Sequence, residues 1–374
     1  MIQPDAGRAI GNTEMLRAPS RFAAIVDQRC LEVQSLRSLL AVSSDALASL
    51  GLNSLDEAIG RTDLLAQVSR GAPHLDDLDL NPLLVQVDTG AAITYEPDRR
   101  EEVPDTLDAQ ILRDGDPFFT RGEKMQLTYE VQNVQRSIGA RSSSAIVRKF
   151  GEHALPEGRL HIRLTGSAGQ SLGAFSVQGL LLDVIGDAND YVGKGLSGAT
   201  VQLRPPANAS YSSGDNTIIG NTCLYGATSG KLYAAGQAGV RFAVRNSGAD
   251  AVVEGCGANG CEYMTGGHVA ILGSVGDNFG AGMTGGIAYV WDPQARFAEV
   301  ANPDAIDWYA LADMDQKQID RFQMMLEIHR DRTNSQRAAD LLNNWQQTLS
   351  ETLMIVPKEI ADRVFGETGQ KKAG

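Results

Sequence analysis

Residues Glu254 to Gly273 read EGCGANGCEYMTGGHVAILG, a run with two cysteines, six glycines and one histidine. Such residues can ligate a metal, cradle a phosphate, or turn a repeating backbone. The surroundings of the run decide among these. A glycine followed by a short β-prone stretch recurs around it: Gly158-RLHIRL, Gly179-LLLDVI, Gly198-ATVQL, Gly230-KLYAA, Gly248-ADAVVE, Gly266-GHVAIL and Gly285-GIAYVW. Successive glycine numbers differ by 21, 19, 32, 18, 18 and 19. The long step holds RPPANASYSSGDNT, Arg204 to Thr217, whose Pro, Ser, Asn and Gly content marks an inserted surface loop.

A period of 18 to 21 with one strand and turn per repeat is a solenoid signature. The leucine spacing of leucine-rich repeats is missing, and no 3.6-residue pattern runs inside the repeats. The pattern predicts a mainly β fold, a parallel β-helix of about seven coils, with α-helices flanking it at both ends. Glycines would serve its corners, where positive φ is common and backbones crowd.

Around this core, Leu52, Leu55, Ile59 and Leu64 fall near helical spacing behind a cap-like Asn53-Ser54. Pro82, Pro97, Pro104 and Pro117 mark a connector, with a helix expected around Lys124 to Ser137. Ile319, Phe322 and Leu326, then Leu342, Trp345 and Leu349, predict a tail of two helices ending near Pro357. The expected divisions are a helical linker region over 1–92, the connector with its short helix over 93–155, the β-helix over 156–298 and the helical tail over 299–374.

Composition agrees with a turning backbone. Hydrophobic residues make up 43% of the 374, enough for a sizeable core, while 40 glycines and only 6% aromatics argue against a helical bundle. A net charge of −13 disfavours nucleic acid and anionic membranes as partners. The N-terminus MIQPDAGRAI shows no basic-then-apolar signal pattern. The longest apolar stretch, Ser171 to Gly186, is broken by Gly173, Gly179 and Asp183, so no membrane span is expected. Four cysteines without a pairing pattern point to a reducing, cytoplasmic setting.

Three segments spell G-x-G-x-x-G: Gly193-KGLSG, Gly255-CGANG and Gly280-AGMTG. A dinucleotide fingerprint needs a helix after it to receive the pyrophosphate, and each of these runs into a β-prone stretch instead. Gly186-DANDYV-Gly193-Lys194 has six intervening residues where a P-loop has four, and Gly195 stands where Ser or Thr should hold Mg²⁺. Cys256 and Cys261 have an admissible zinc spacing, but Cys223 and His268 supply no second spaced pair. The histidines His74, His153, His161, His268 and His329 are isolated in sequence, and no G-x-S-x-G elbow exists. The acidic pairs Asp76-Asp77 and Glu101-Glu102 read as solvated loops. No catalytic, cofactor-binding or metal residue is assigned.

GDANDYVGKGLSGATVQLRP, IIGNTCLYGATSGKLYAAGQAGVRFAVRNSGA and VVEGCGANGCEYMTGG resemble the C-terminal GXGXG domain of the glutamate synthase large (alpha) subunit. LRDGDPFFTRGEKMQLTYEVQNVQRSIGAR, IRLTGSAGQSLGAF and LDEAIGRTDLL extend the resemblance over roughly Asp45 to Val364. The resemblance implies a right-handed β-helix, the hand expected of parallel crossovers. It also implies a non-catalytic scaffold that braces an amidotransferase domain and an FMN barrel with an iron–sulfur cluster. FMN and cluster belong to those partner domains, so no cofactor is expected in this chain. The amidotransferase would begin with Cys where this sequence has Met1-Ile2-Gln3, and Cys30 in DQRCLEV does not match the cluster cysteines. What carries over is structural: Gly193, Gly195, Gly198, Gly255, Gly257, Gly260, Gly266 and Gly285. The expected role is in glutamate biosynthesis and ammonia assimilation, through amidotransferase and FMN-barrel partners or by self-association. The alternative is a free-standing GXGXG subunit of the N-methylglutamate synthase or formylmethanofuran dehydrogenase type.

Overall fold

The structure, a computed structural model, describes residues 2–4, 44–69, 71–72, 76–86, 90, 105–361 and 364. Cys30, His74, Pro97, Pro104 and the Glu101-Glu102 pair lie outside them. The chain divides into two units, Met1–Val103 and Pro104–Gly374. In the first, Ile2–Pro4 (β1) pairs antiparallel with Leu65–Gln67 (β2). Leu55–Ala58 forms one helical turn (α1), started by Ser54, whose hydroxyl accepts from the Glu57 amide. The Glu57 carboxylate in turn accepts from the Asn53 amide, a reciprocal cap. The helical spacing of Leu52 to Leu64 yields only this turn and a 3-10 turn at Thr62–Leu64, because Gly60 interrupts it with φ of +74°.

The second unit is organised by one twelve-stranded sheet. Every repeat run supplies a strand: Leu160–Ala168 (β4), Leu180–Ala188 (β5), Ser197–Arg204 (β6), Ser229–Ala234 (β8), Asp250–Val253 (β10), Thr265–Ile271 (β11) and Gly285–Trp291 (β12). Each pairs parallel with the next in that order. Met125–Val131 (β3) adds a parallel edge beside β4. Thr352–Pro357 (β14) and Ile306–Ala310 (β13) close the other edge antiparallel. The inserted loop runs into Thr217–Ile219 (β7), which pairs with Gln237–Ala238 (β9).

The expected mainly β fold, a right-handed parallel β-helix, is therefore corrected to an α/β fold with a mostly parallel sheet. Among the described residues helix accounts for 30% and strand for 27%, which removes the mainly β class. The physical reason lies between the strands. One ladder per repeat runs the length of the sheet; among the described residues the rest of each repeat is turn, with β7 pairing briefly to β5 and β9 and single bridges such as Ser247–Gly266. A second correction concerns Lys124 to Ser137, where a helix was expected. Met125, Leu127, Tyr129 and Val131 alternate inward along MQLTYEV, and that period of two makes β3. The helices of this region are instead Leu107–Asp114 (α2), Asp116–Arg121 (α3) and Ala140–Phe150 (α4).

The two faces of the sheet meet different cores. Leu160, Ile162, Leu164, Leu182, Val184, Val201 and Val253 face one continuous interior. On the other face, Tyr233, Val252, Ala270 and Tyr289 are covered by Phe322, Met325, Leu326 and Leu341. Those residues come from Gln316–Thr333 and Gln336–Asn343, which follow a four-residue turn at Phe297–Val300 (α5) and are labelled α6 and α7. Trp345–Ser350 (α8) then returns the chain to β14, so the expected two-helix tail carries three helices and two sheet strands.

Candidate functional site

The turns between strands explain the glycine spelling. Tyr191, Gly193 and Gly195 have φ of +64°, +65° and +62°, alternating with residues of negative φ. The same alternation recurs at Ser171, Gly173 and Phe175, at Thr222, Leu224 and Gly226, at Arg241, Ala243 and Arg245, at Asn259, Cys261 and Tyr263, and at Asn278, Gly280 and Gly282. A left-handed residue costs an L-amino acid roughly 1–2 kcal/mol, so glycine is favoured there but evidently not required. The three G-x-G-x-x-G runs feed strands: β6, β11 and β12 begin at Ser197, Thr265 and Gly285.

The other motif glycines answer to crowding. A Cβ on Gly266 or Gly285 would overlap the carbonyl oxygen of Ser247 or Thr265 in the neighbouring strand segment. Neither has a left-handed φ, so the expected corner role is replaced by close backbone stacking. Gly198 (φ +119°) lies against the Gln178 backbone, and Gly255 sits near the extended region at φ +158°. A Cβ on Gly257 would come 2.8 Å from Val240 Cγ1, and one on Gly260 2.9 Å from Cys256 Sγ. These eight residues shape backbone and converge on no cavity.

The structure does gather polar side chains on the covered face of the sheet. Asp183 of β5, buried, accepts from Arg163 Nε at 2.9 Å, Gln202 Nε2 at 3.0 Å and Arg204 Nη1 at 2.6 Å. Strand register does this: Arg163, Asp183 and Gln202 are direct neighbours across β4, β5 and β6. Burial works to raise the Asp183 value, but His161, Gln202 and Arg204 outweigh it and hold the carboxyl well below the usual range. It is thus a fixed anion, unsuited to donating a proton near neutrality. Arg332 at the end of α6 lies over the Tyr233 ring, donates to Gln202 and pairs with Glu157. A cavity of about 590 Å³ opens beside His161, Glu157, Lys124 and Arg332.

Glu254, from the opening stretch, is fully buried and accepts from Ser213 at 3.0 Å and from Ser335. Ser335 also caps α7 by accepting from the Ala338 amide. His329 Nε2 stands 3.6 Å from Glu254, and its ring stacks on Tyr233. Burial raises and the His329, Ser335 and Ser213 contacts lower the Glu254 value, with lowering ahead. Glu, His and Ser here resemble hydrolytic groups in type only. Glu254 and His329 are both wholly removed from solvent, so no substrate reaches them, and they fasten α6 and α7 to the sheet. At the other end of α6, Asp250, His268 and Arg321 make a similar contact, His268 Nδ1 lying 3.2 Å from both partners.

Cys223, Cys256 and Cys261 are free and buried. Burial pushes the first two thiols up to about 12 and the third well above its ordinary value, which disfavours the thiolate that nucleophiles and metal ligands need. Among the described residues no group of three or more His, Cys, Asp and Glu is placed to hold a metal ion. Of the histidines, His161, His268 and His329 are each tied to a carboxylate on the sheet, a grouping that sequence isolation hid. A readable signal existed: Asp183 in LLLDVI and Glu254 in AVVEGC are charges inside runs otherwise fit for burial.

Residues 108–358 match the family model described as the GXGXG motif. The chain is 56% identical over 321 residues to the glutamate synthase [NADPH] large chain of Azospirillum brasilense, covering 86% of this chain and 21% of that one. It is 42% identical over 332 residues to the glutamate synthase [NADPH] large chain of Bacillus subtilis, covering 88% and 22%. Against ferredoxin-dependent glutamate synthase 2 of Synechocystis the identity is 41%, covering 84% and 20%. The chain thus spans about a fifth of the length of the relatives it matches.

Proposed function

The chain belongs to the GXGXG family, and from that premise we propose that it is the non-catalytic bracing part of a glutamate synthase-type enzyme. It works in glutamate biosynthesis and ammonia assimilation by holding amidotransferase and FMN-barrel domains or subunits against each other, with FMN and cluster carried by those partners. A reducing, cytoplasmic setting belongs to this reading, and the three free, buried cysteines agree with it. No helix among the described residues is long and apolar enough to cross a membrane.

The observation that carries the proposal is in the first unit. Among its described residues from 44 to 86, none is buried. Leu55, Leu78, Leu83 and Val85 are 63%, 68%, 71% and 65% exposed. Defined turns with no buried residue among those described, and with large exposed apolar side chains, are the kind of surface that another polypeptide covers. Co-expression with amidotransferase and FMN-barrel polypeptides of the glutamate synthase type, followed by affinity capture, tests this. Stable co-purification with one of them is expected, and the isolated chain should be colourless. A monodisperse monomer that captures neither, or a flavin spectrum that stays with the isolated chain through gel filtration, overturns the reading.

A further inference from the structure

Beyond the C-terminal ends of β11 and β12 lies a cavity of about 330 Å³. That is the low end of the range for small-molecule sites, and the carboxyl edge of parallel strands is where α/β sheets commonly bind ligands. Val275, Val290, Trp291, Phe297 and Val300 give it apolar walls. Arg337 of α7 closes one side.

Arg337 differs from the arginines of this sheet face that answer carboxylates, and Arg321, set against His268, is the other that does. Arg163 and Arg204 are tied to Asp183, and Arg332 to Glu157. Arg337 instead lies over the Trp291 ring, 5.1 Å from its centroid, and donates to the Leu272 carbonyl at 3.1 Å. No carboxylate forms an ion pair with it among the described residues. Two other charged groups edge the cavity. Asp292 is engaged, accepting from the amides of Arg296 and Phe297 at 3.0 and 2.8 Å at the start of α5. Arg296 is paired with Glu299 at 3.5 Å. With Arg337, Arg296 and Asp292, the lining sums to +1 in a chain of net charge −13.

We propose that this cavity binds a small carboxylate with an apolar body. The body fills the space between Phe297, Val300 and Trp291, and the carboxylate pairs with the Arg337 guanidinium. The guanidinium is held in a fixed plane by the Trp291 ring, the Leu272 carbonyl on Nη1 and Gly214 beside Nη2, and a fixed guanidinium plane matches a planar carboxylate. The apolar walls select against a small, strongly hydrated anion such as phosphate, which would lose its water without replacement. The proposal is independent of the bracing role, because it concerns only this chain's own cavity.

Ligand titration of the full chain tests it, read by tryptophan fluorescence and ligand-observed NMR. Benzoate is the probe, benzyl alcohol its neutral counterpart and inorganic phosphate the small-anion control. Benzoate should bind saturably, at least about tenfold tighter than either control. Arg337→Gln should weaken benzoate about tenfold or more and leave benzyl alcohol within about twofold, with Arg337→Lys intermediate. If Arg337→Gln does not fold, as judged by its thermal melt, Val300→Phe, which fills the cavity from the opposite wall, should abolish benzoate binding. The proposal is overturned by absence of saturable benzoate binding to the native chain, by phosphate binding as tightly, or by variants that bind benzoate as the native chain does.

Discussion

At the scale of single residues, glycine does two separate jobs that sequence alone does not distinguish. Gly226 has φ +64° and open space where a Cβ would go, so only its backbone conformation favours glycine. Leu224 and Ala243 hold the same conformation in equivalent turns, which shows that the cost is bearable. Gly285 has no left-handed φ, but a Cβ there would overlap the Thr265 carbonyl oxygen. Relief would require parting β11 from β12. We expect Gly226→Ala to cost about 1 kcal/mol and Gly285→Ala to cost more, up to about 3 kcal/mol. Urea midpoints of the two variants decide the matter. Equal losses would show that conformation, and not strand spacing, governs both positions.

At the scale of elements, α6 is the connection on which the covered face depends. Asp315 starts it by accepting from the Gln318 amide, and Asn334 ends it with φ +54°. Its buried stripe includes Phe322, Met325, Leu326 and His329, and its ends are fixed by polar contacts to β11 and to Glu254. Phe322 is fully buried between Tyr289 and Trp345, at centroid distances of 5.4 and 6.1 Å. Phe322→Ala should therefore destabilise by about 3–5 kcal/mol and shift the fluorescence of Trp345. A loss below about 1 kcal/mol would mean that α6 is not integral to the folded unit.

At the scale of the whole second unit, paired carboxylates, two of them fully buried, set the response to acid. Asp183, Glu254, Asp250 and Glu157 all have values lowered in the fold. A lowered carboxylate adds stability that is complete above its unfolded value, near pH 4, and is lost as pH falls through the lower folded value. Stability should then be flat from neutrality to about pH 5 and fall below about pH 4. Asp183→Asn leaves Arg163 and Arg204 without their anion and should cost on the order of 3 kcal/mol at neutral pH. The gap between native and variant should narrow as the solution is acidified. Denaturant midpoints measured from pH 7 to pH 3 check this; a constant gap would show that the Asp183 charge does not matter.

The sequence by itself determined the repeat, its seven strands, the inserted loop and the family, because strand runs and turn glycines are local preferences repeated at a fixed spacing. It did not determine the fold class. Whether the residues between strands extend or turn depends on neighbours about 19 positions away, as the stacked turns ending at Gly226 and Arg245 show. Nor did it show that β13 and β14 would return to the sheet edge, since ILE-type runs such as TLMIVP continue a helical pattern as easily as they begin a strand. Only the tertiary structure brought Glu254, His329 and Ser335 together, and only it set Arg337 over Trp291. Such groups lie tens of residues apart in the chain, and their meeting follows from strand register and the path of α6 and α7, which no local spacing encodes.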